Sequence, residues 1–216
     1  EPVHARSFEH EHERTGAHDM ALTMRRREKD DLIKGVALGT VLHTVFQFLD
    51  IEPLRNASEE EGTQLYLKQL DDLRNRNVLE PAEYKAAVPF SNSAILWAKS
   101  DLAGRILAVS KTTGKVYREM PFTLAVPSKT LLSSWPDDEM TLVQGMIDLW
   151  FVEENGDAIL IDFKSDRLPG DDKESVFKER YGFQLQTYAK AIERATGRTV
   201  RERILWLIRA GRGLVF

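Results

Sequence analysis

The sequence predicts an α+β fold: a mixed central β-sheet flanked by helices, with an N-terminal helical region. Three observations carry that expectation. Apolar residues recur at helical spacing from about residue 36 to residue 103. From about residue 104 they gather instead into short runs rich in Val, Ile, Leu and aromatics, bounded by turn residues. A late amphipathic stretch is then followed by one more strand-like run.

Residues 1–30, "EPVHARSFEHEHERTGAHDMALTMRRREKD", are polar, hold His4, His10, His12 and His18, and read as a solvated linker or the end of a fragment. The first residue is Glu1, so a piece cut from a longer protein is expected. Arg25, Arg26 and Arg27 fit a phosphate contact or a solvated helix face. Residues 31–216 form the expected domain, helical over about 31–103, with its core over about 104–216. In "VALGTVLHTVFQFLD", Val41, Leu42, Val45, Phe46 and Leu49 make one apolar stripe, and His43 lies on the flank with Gly39 and Gln47. "EEEGTQLYLKQLDDLRNRN" and "EPAEYKAAVPFSNSAILWAK" read as further helices. "RILAVS", "KVYREMPFTLAV", "TLVQGMIDLWFVEE" and "AILIDFKSD" read as strands. "FQLQTYAKAIERATG" reads as a helix closed by Gly197, and "RERILWLIRA" as a last strand that "GLVF" continues.

Composition removes whole classes of function. The chain has no cysteine, which excludes disulfides, thiolate zinc sites and a cysteine-held iron–sulfur cluster. No Walker A pattern occurs, so no ATP site is expected. No run is long enough to span a membrane, and no signal-peptide pattern opens the chain, which points to the cytoplasm. The net charge of -4 makes no global case for nucleic acid, although a local site can still be basic.

The chemistry lies in "LVQGMIDLWFVEENGDAILIDFKSDR", where Asp148, Asp162 and Lys164 interrupt very apolar sequence. Buried charge is costly unless it is paired or coordinated. Asn155–Gly156 marks a hairpin. A two-residue turn would set Asp148 opposite Phe163, whereas a three-residue loop, Glu154-Asn155-Gly156 with Gly156 left-handed, sets it opposite Asp162. The three-residue loop is the one expected, with Lys164 on the same face. Facing carboxylates require a shared proton or a cation. Carboxylate ligation suits Mg²⁺, with Mn²⁺ as a substitute, and a lysine alongside can orient or deprotonate water. Such a set looks like a metal-dependent phosphodiesterase. The bland alternative is a strand-end ion pair of Asp162 with Lys164, just as Glu119 could pair with its neighbour Arg118 at the surface.

"GTVLH", "YREMPF", "GMIDLWF", "LIDFKSD" and "QLQTYAKAI" occur in the order found in RecB-type nucleases of the PD-(D/E)xK superfamily. Over about residues 35–210 the chain most resembles the C-terminal nuclease domain of the AddA type, from bacterial AddAB helicase–nucleases. The resemblance implies a restriction-endonuclease-like fold and Mg²⁺-dependent hydrolysis of DNA. No helicase motor is encoded here, so the implied partners are the helicase domains of a parent chain and an AddB-like subunit.

The resemblance also implies site residues. His43 matches a metal-side histidine, and Glu119 a glutamate that assists metal or water. Asp148 and Asp162 match the metal-binding carboxylates, the Phe163 carbonyl a further ligand, and Lys164 the catalytic lysine. Gln184 and Tyr188, four apart on one helical face, match a motif that contacts DNA or orients the lysine. Single-stranded DNA in a bacterial cytoplasm is the implied setting. Two other functions compete: a non-catalytic DNA-binding or docking domain on the same scaffold, and a free-standing RecB-like exonuclease.

Overall fold

A computed structural model describes residues 38–130, 139–166 and 174–216. The N-terminal histidines and Arg25, Arg26 and Arg27 lie outside the described residues. The helical part holds α1 (residues 38–48), α2 (Ile51–Asn56), α3 (Glu59–Asn75), α4 (Pro81–Ala87), α5 (Ser91–Lys99) and α6 (Asp101–Thr112). The β-rich part follows with β1 (Val116–Pro127), β2 (Met140–Val152), β3 (Ala158–Lys164), α7 (Glu174–Thr196), β4 (Val200–Leu207) and β5 (Arg212–Val215).

Sequence chemistry sets several of these boundaries. Ser58 and Glu61 form a reciprocal capping box that starts α3. Pro81 begins α4 at a position where its missing N–H costs nothing. The run expected as one helix after Glu80 is interrupted at Val88–Phe90, where Pro89 has no amide to donate, and resumes as α5.

"RILAVS", expected as a strand, belongs to α6. Ser100 accepts a hydrogen bond from the Ala103 amide and caps the helix. Ala103, Ile106 and Val109 are buried at intervals of three, a helical spacing that outweighs the β-branched side chains at two of the positions. "GLVF" also departs from expectation. It does not continue β4 but turns back as β5, paired antiparallel with it.

Strand order in the sheet is β1-β2-β3-β4-β5. All neighbours are antiparallel except β3 and β4, which are parallel and joined through α7. Helices α1 to α6 cover one face, with Phe46, Trp97, Leu149, Ile161, Phe163 and Trp206 among the core residues there. The opposite face packs on α7 through Trp150, Leu160, Leu185, Leu205 and Leu207. Phe163 meets Phe46 at 5.3 Å and Trp97 at 5.1 Å between ring centres, and Trp97 meets Trp206 at 4.7 Å. These aromatic contacts fix the C-terminal end of β3, where the charged residues stand.

The β2–β3 hairpin uses the three-residue loop. Val152 pairs with Ala158, the Glu153 amide bonds the Asp157 carbonyl, and Gly156 has φ +92°. That backbone conformation strains any side chain, which accounts for glycine at this position. The Asn155 side-chain oxygen accepts from the Asp157 amide and tightens the turn.

Candidate active site

Two strands change their inward face at the same place. In β2, Ile147 and Trp150 both face α7, although they are three residues apart; in β1, Tyr117 and Phe122 also pack on that side, five apart. Strict alternation would forbid both odd steps. The change falls at Glu119 and Asp148. These residues oppose each other between the pairs Arg118↔Leu149 and Met120↔Ile147. Glu119 has φ +49°, a left-handed backbone that costs free energy and often marks a functional site.

Across the hairpin, Leu149 pairs with Ile161, so the next step of the same register sets Asp148 against Asp162. The ladder opens there. The Phe163 amide donates to Asp148 Oδ2 at 2.8 Å, so that a side chain takes the place of a backbone acceptor. From α1, His43 Nδ1 approaches the same oxygen at 3.4 Å. Gly39, one turn earlier, brings α1 close to the end of β3: a Cβ there would lie 3.4 Å from Ser165 Oγ.

Among the described residues, His43, Glu119 and Asp148 form a group whose possible ligand atoms all lie within 4.8 Å of one another. Asp162 stands beside them, 1% exposed. Its Oδ1 accepts from Gln184 Nε2 at 3.3 Å. Its Oδ2 has no hydrogen-bond partner among the described residues and makes an ion-pair contact with Lys164 Nζ at 2.7 Å. Gln184 Nε2 also donates to Tyr188 Oη at 2.7 Å, and Tyr188 packs edge-on against Phe122. Gln184 is therefore linked to Lys164 through Asp162. The Phe163 carbonyl belongs to the same strand end, between Asp162 and Lys164, while its ring anchors the opposite face.

The electrostatics show a surplus of negative charge. Burial, reinforced by Asp148, pushes the Asp162 carboxyl up to about 6 against the pull of Lys164. Burial and Asp148 also raise Glu119. Burial lowers the His43 pKa, but the Asp148 hydrogen bond and charge outweigh it and leave the imidazole above its usual value. Two carboxyls held above their usual range, Asp162 and Glu119, stand with a third, Asp148, and an imidazole from α1, a donor set suited to a divalent cation. The residues fit such an ion.

Sequence reasoning missed Tyr181. Its ring lies under Lys164 Nζ at 5.2 Å, and its hydroxyl lies near Asp166, which pairs with Arg180 at 3.2 Å. Burial and Asp166 push the phenol up to about 12. A usable signal existed, because Tyr181, Gln184 and Tyr188 recur at three and four residues along one helical face. Arg118, read beside Glu119 as a possible ion-pair partner, instead turns to α1 and donates to the Phe46 carbonyl at 3.3 Å. Of the C-terminal arginines, Arg203 bonds the Phe216 carbonyl, Arg209 the Ser165 carbonyl and Arg212 pairs with Glu174.

A five-stranded mixed sheet with this cluster at the end of a β-hairpin defines the class. Residues 17–215 match the PD-(D/E)XK nuclease superfamily, and the chain belongs to it. Its enzyme class is accordingly that of a nuclease, a hydrolase of phosphodiester bonds, in a family that uses a divalent metal.

The chain is similar to proteins named as the A subunits of ATP-dependent helicase/nucleases. It is 35% identical over 176 residues to that of Desulforamulus reducens, covering 80% of this chain and 13% of the relative. The Alkaliphilus metalliredigens protein is 34% identical over 178 residues, 82% of this chain and 14% of the relative. The Clostridium acetobutylicum protein is 32% identical over 176 residues, again 80% and 13%. The chain thus matches 13 to 14% of the length of these relatives. Among the described residues, no helix is long and apolar enough to cross a membrane.

Proposed function

We propose that this chain hydrolyses DNA phosphodiester bonds with Mg²⁺, as the exonuclease module of a bacterial ATP-dependent helicase–nuclease that acts in double-strand-break repair and recombination. One observation carries the reading: the His43–Glu119–Asp148 group lies beside the buried Asp162–Lys164 pair. A structural ion pair at a strand end would account for Asp162 and Lys164. It leaves no reason for a histidine from another helix and two further acids to converge there.

In this reading Asp148, Asp162 and the Phe163 carbonyl hold the ion, with His43 and Glu119 completing its shell directly or through water. The bound cation neutralises charge on the phosphate and makes water more acidic. Lys164 orients the attacking water through the protons of its ammonium Nζ, and the proton that the water loses passes to solvent. Asp162 holds that ammonium, and Gln184, itself bonded to Tyr188, holds Asp162. Tyr181 supports the lysine from below through its ring face.

Single-stranded DNA is the proposed substrate, delivered by helicase domains of the same parent chain working with an AddB-like subunit in the cytoplasm. Residues 31–216 are proposed as the nuclease domain, with residues 1–30 as a polar linker. The names of the relatives support the helicase–nuclease setting. The test is Mg²⁺-dependent degradation of single-stranded DNA by the wild-type chain beside Asp162→Ala. Cleavage that stops in the variant supports the reading; cleavage at an equal rate in both would assign the activity elsewhere.

A further inference from the structure

Arg118 is a cation that the proposed reaction leaves unused. It stands in β1 immediately before Glu119 and pairs with Leu149, the neighbour of Asp148. Its side chain leaves the sheet on the α1 side, where it donates to the carbonyl of Phe46. Phe46 comes three residues after His43 on the same helix, so Arg118 reaches a point less than one helical turn from the metal-side imidazole.

Among the described residues, Arg118 has no anion beside it: no carboxylate pairs with it, and its one hydrogen bond, at 3.3 Å, is long. Other arginines of the chain are matched: Arg105 holds Glu153 and Glu202, Arg180 holds Asp166, and Arg212 holds Glu174. Burial with no acid to offset it lowers the Arg118 pKa, yet a guanidinium stays charged. A cation held partly out of water without a counter-charge is costly. One carbonyl near the C-terminal end of α1 offsets only part of that cost, and it is the one acceptor the guanidinium has among the described residues.

The substrate of a nuclease brings the missing charge. Resting on the nuclease reading, we infer that Arg118 is a substrate-binding residue that takes a backbone phosphate of the strand being cut. The guanidinium fork matches two phosphate oxygens in a way that a point-charge ammonium does not. Its bond to the Phe46 carbonyl pre-orients it, and the left-handed backbone at Glu119 separates its direction from that of the metal-side carboxylate. The competing role is purely structural: a side chain that caps the end of α1 and never meets DNA.

The two roles separate in the salt dependence of binding. A fluorescent single-stranded oligonucleotide is titrated with the 216-residue chain in Ca²⁺, an ion of looser coordination chosen to hold cleavage back. Wild type, Arg118→Met and Arg118→Lys are compared over a range of KCl. Loss of one phosphate contact in R118M is expected to weaken binding about tenfold. It should also flatten the slope of log affinity against log salt by about 0.7. R118K keeps the slope, because the charge remains, but binds more weakly than wild type.

If R118M melts earlier yet binds with wild-type affinity and slope, Arg118 is only a cap and the inference is overturned. Where R118M does not fold, R118K decides: weaker binding with an unchanged Mn²⁺-induced rise in melting temperature supports the inference, and unchanged binding overturns it. Failure of the underlying reading shows up separately, as a wild-type chain that cuts no DNA in Mg²⁺. A chain that cuts DNA, but binds it equally well without the guanidinium, sinks the Arg118 inference alone.

Discussion

The two faces of β3 differ sharply in character. On one, Ile159, Ile161 and Phe163 are all buried against the helical part. On the other, Ala158 and Leu160 pack against α7, but the next two positions are Asp162 and Lys164. Seven residues thus carry an unbroken apolar face and a face that turns charged in its last two positions. The contrast explains how the charges are tolerated. A carboxylate that is 1% exposed must be held in one place to be useful, and the reverse of the strand holds it through Phe163 and its aromatic neighbours. Rigidity comes from one face, and the proposed chemistry lies on the other.

The comparison can be broken most severely from the charged side. Asp162→Ala and Lys164→Met are each expected to reduce single-turnover cleavage of DNA about 10³-fold while the chain stays folded by circular dichroism. A loss of fold in either variant would mean that the charged face also carries stability. From the apolar side, Phe163→Ala should cost about 3–5 kcal/mol in urea unfolding. Phe163→Leu, which keeps most of the volume, should cost less than about 1.5 kcal/mol. Equal costs for the two would show that the aromatic contacts do not anchor the strand.

A smaller effect is expected at Tyr181, whose ring touches the charged face without bearing charge. Tyr181→Leu should lower kcat about tenfold with KM unchanged, and Tyr181→Phe should restore most of it, since the ring face remains beneath Lys164. A KM effect instead would make Tyr181 a DNA contact.

The smallest effect is one of pH. Without metal, Asp162 is pushed up to about 6 and Glu119 is raised above its ordinary value, so both take up protons at a higher pH than free carboxyls do. A cation must displace those protons, and its apparent affinity should therefore decline on the acid side. The Mn²⁺-induced rise in melting temperature should shrink by a few degrees between pH 7.5 and about 5.5. A rise that is flat over that range would show that these carboxylates do not bind the ion.

Much of this contrast was legible in the sequence. Asn155–Gly156 marked the hairpin, and only a three-residue loop lets Asp148 and Asp162 meet; the observed pairing of Leu149 with Ile161 is the register that loop requires. Gln184 and Tyr188 were legible because helical spacing is regular. The misses have physical causes. "RILAVS" is rich enough in β-branched residues to pass as a strand, and only the interval of three between buried positions marks it as part of α6. The face change at Glu119 depends on a left-handed backbone at a residue that rarely adopts one, which no local pattern signals. Arg118 was hidden for the same reason, since reading it as a surface partner of Glu119 assumed an ordinary strand. Its real neighbour, the Phe46 carbonyl, is 72 residues away in the chain.

The most direct measurement is a crystal structure of the chain soaked in Mn²⁺, with the metal located by its anomalous scattering. The expected result is a peak bound by Asp148, Asp162 and the Phe163 carbonyl, with His43 and Glu119 around it and Lys164 Nζ close by. A chain that cuts DNA in Mg²⁺ while its Mn²⁺ lies elsewhere, with these carboxylates bare, would contradict it.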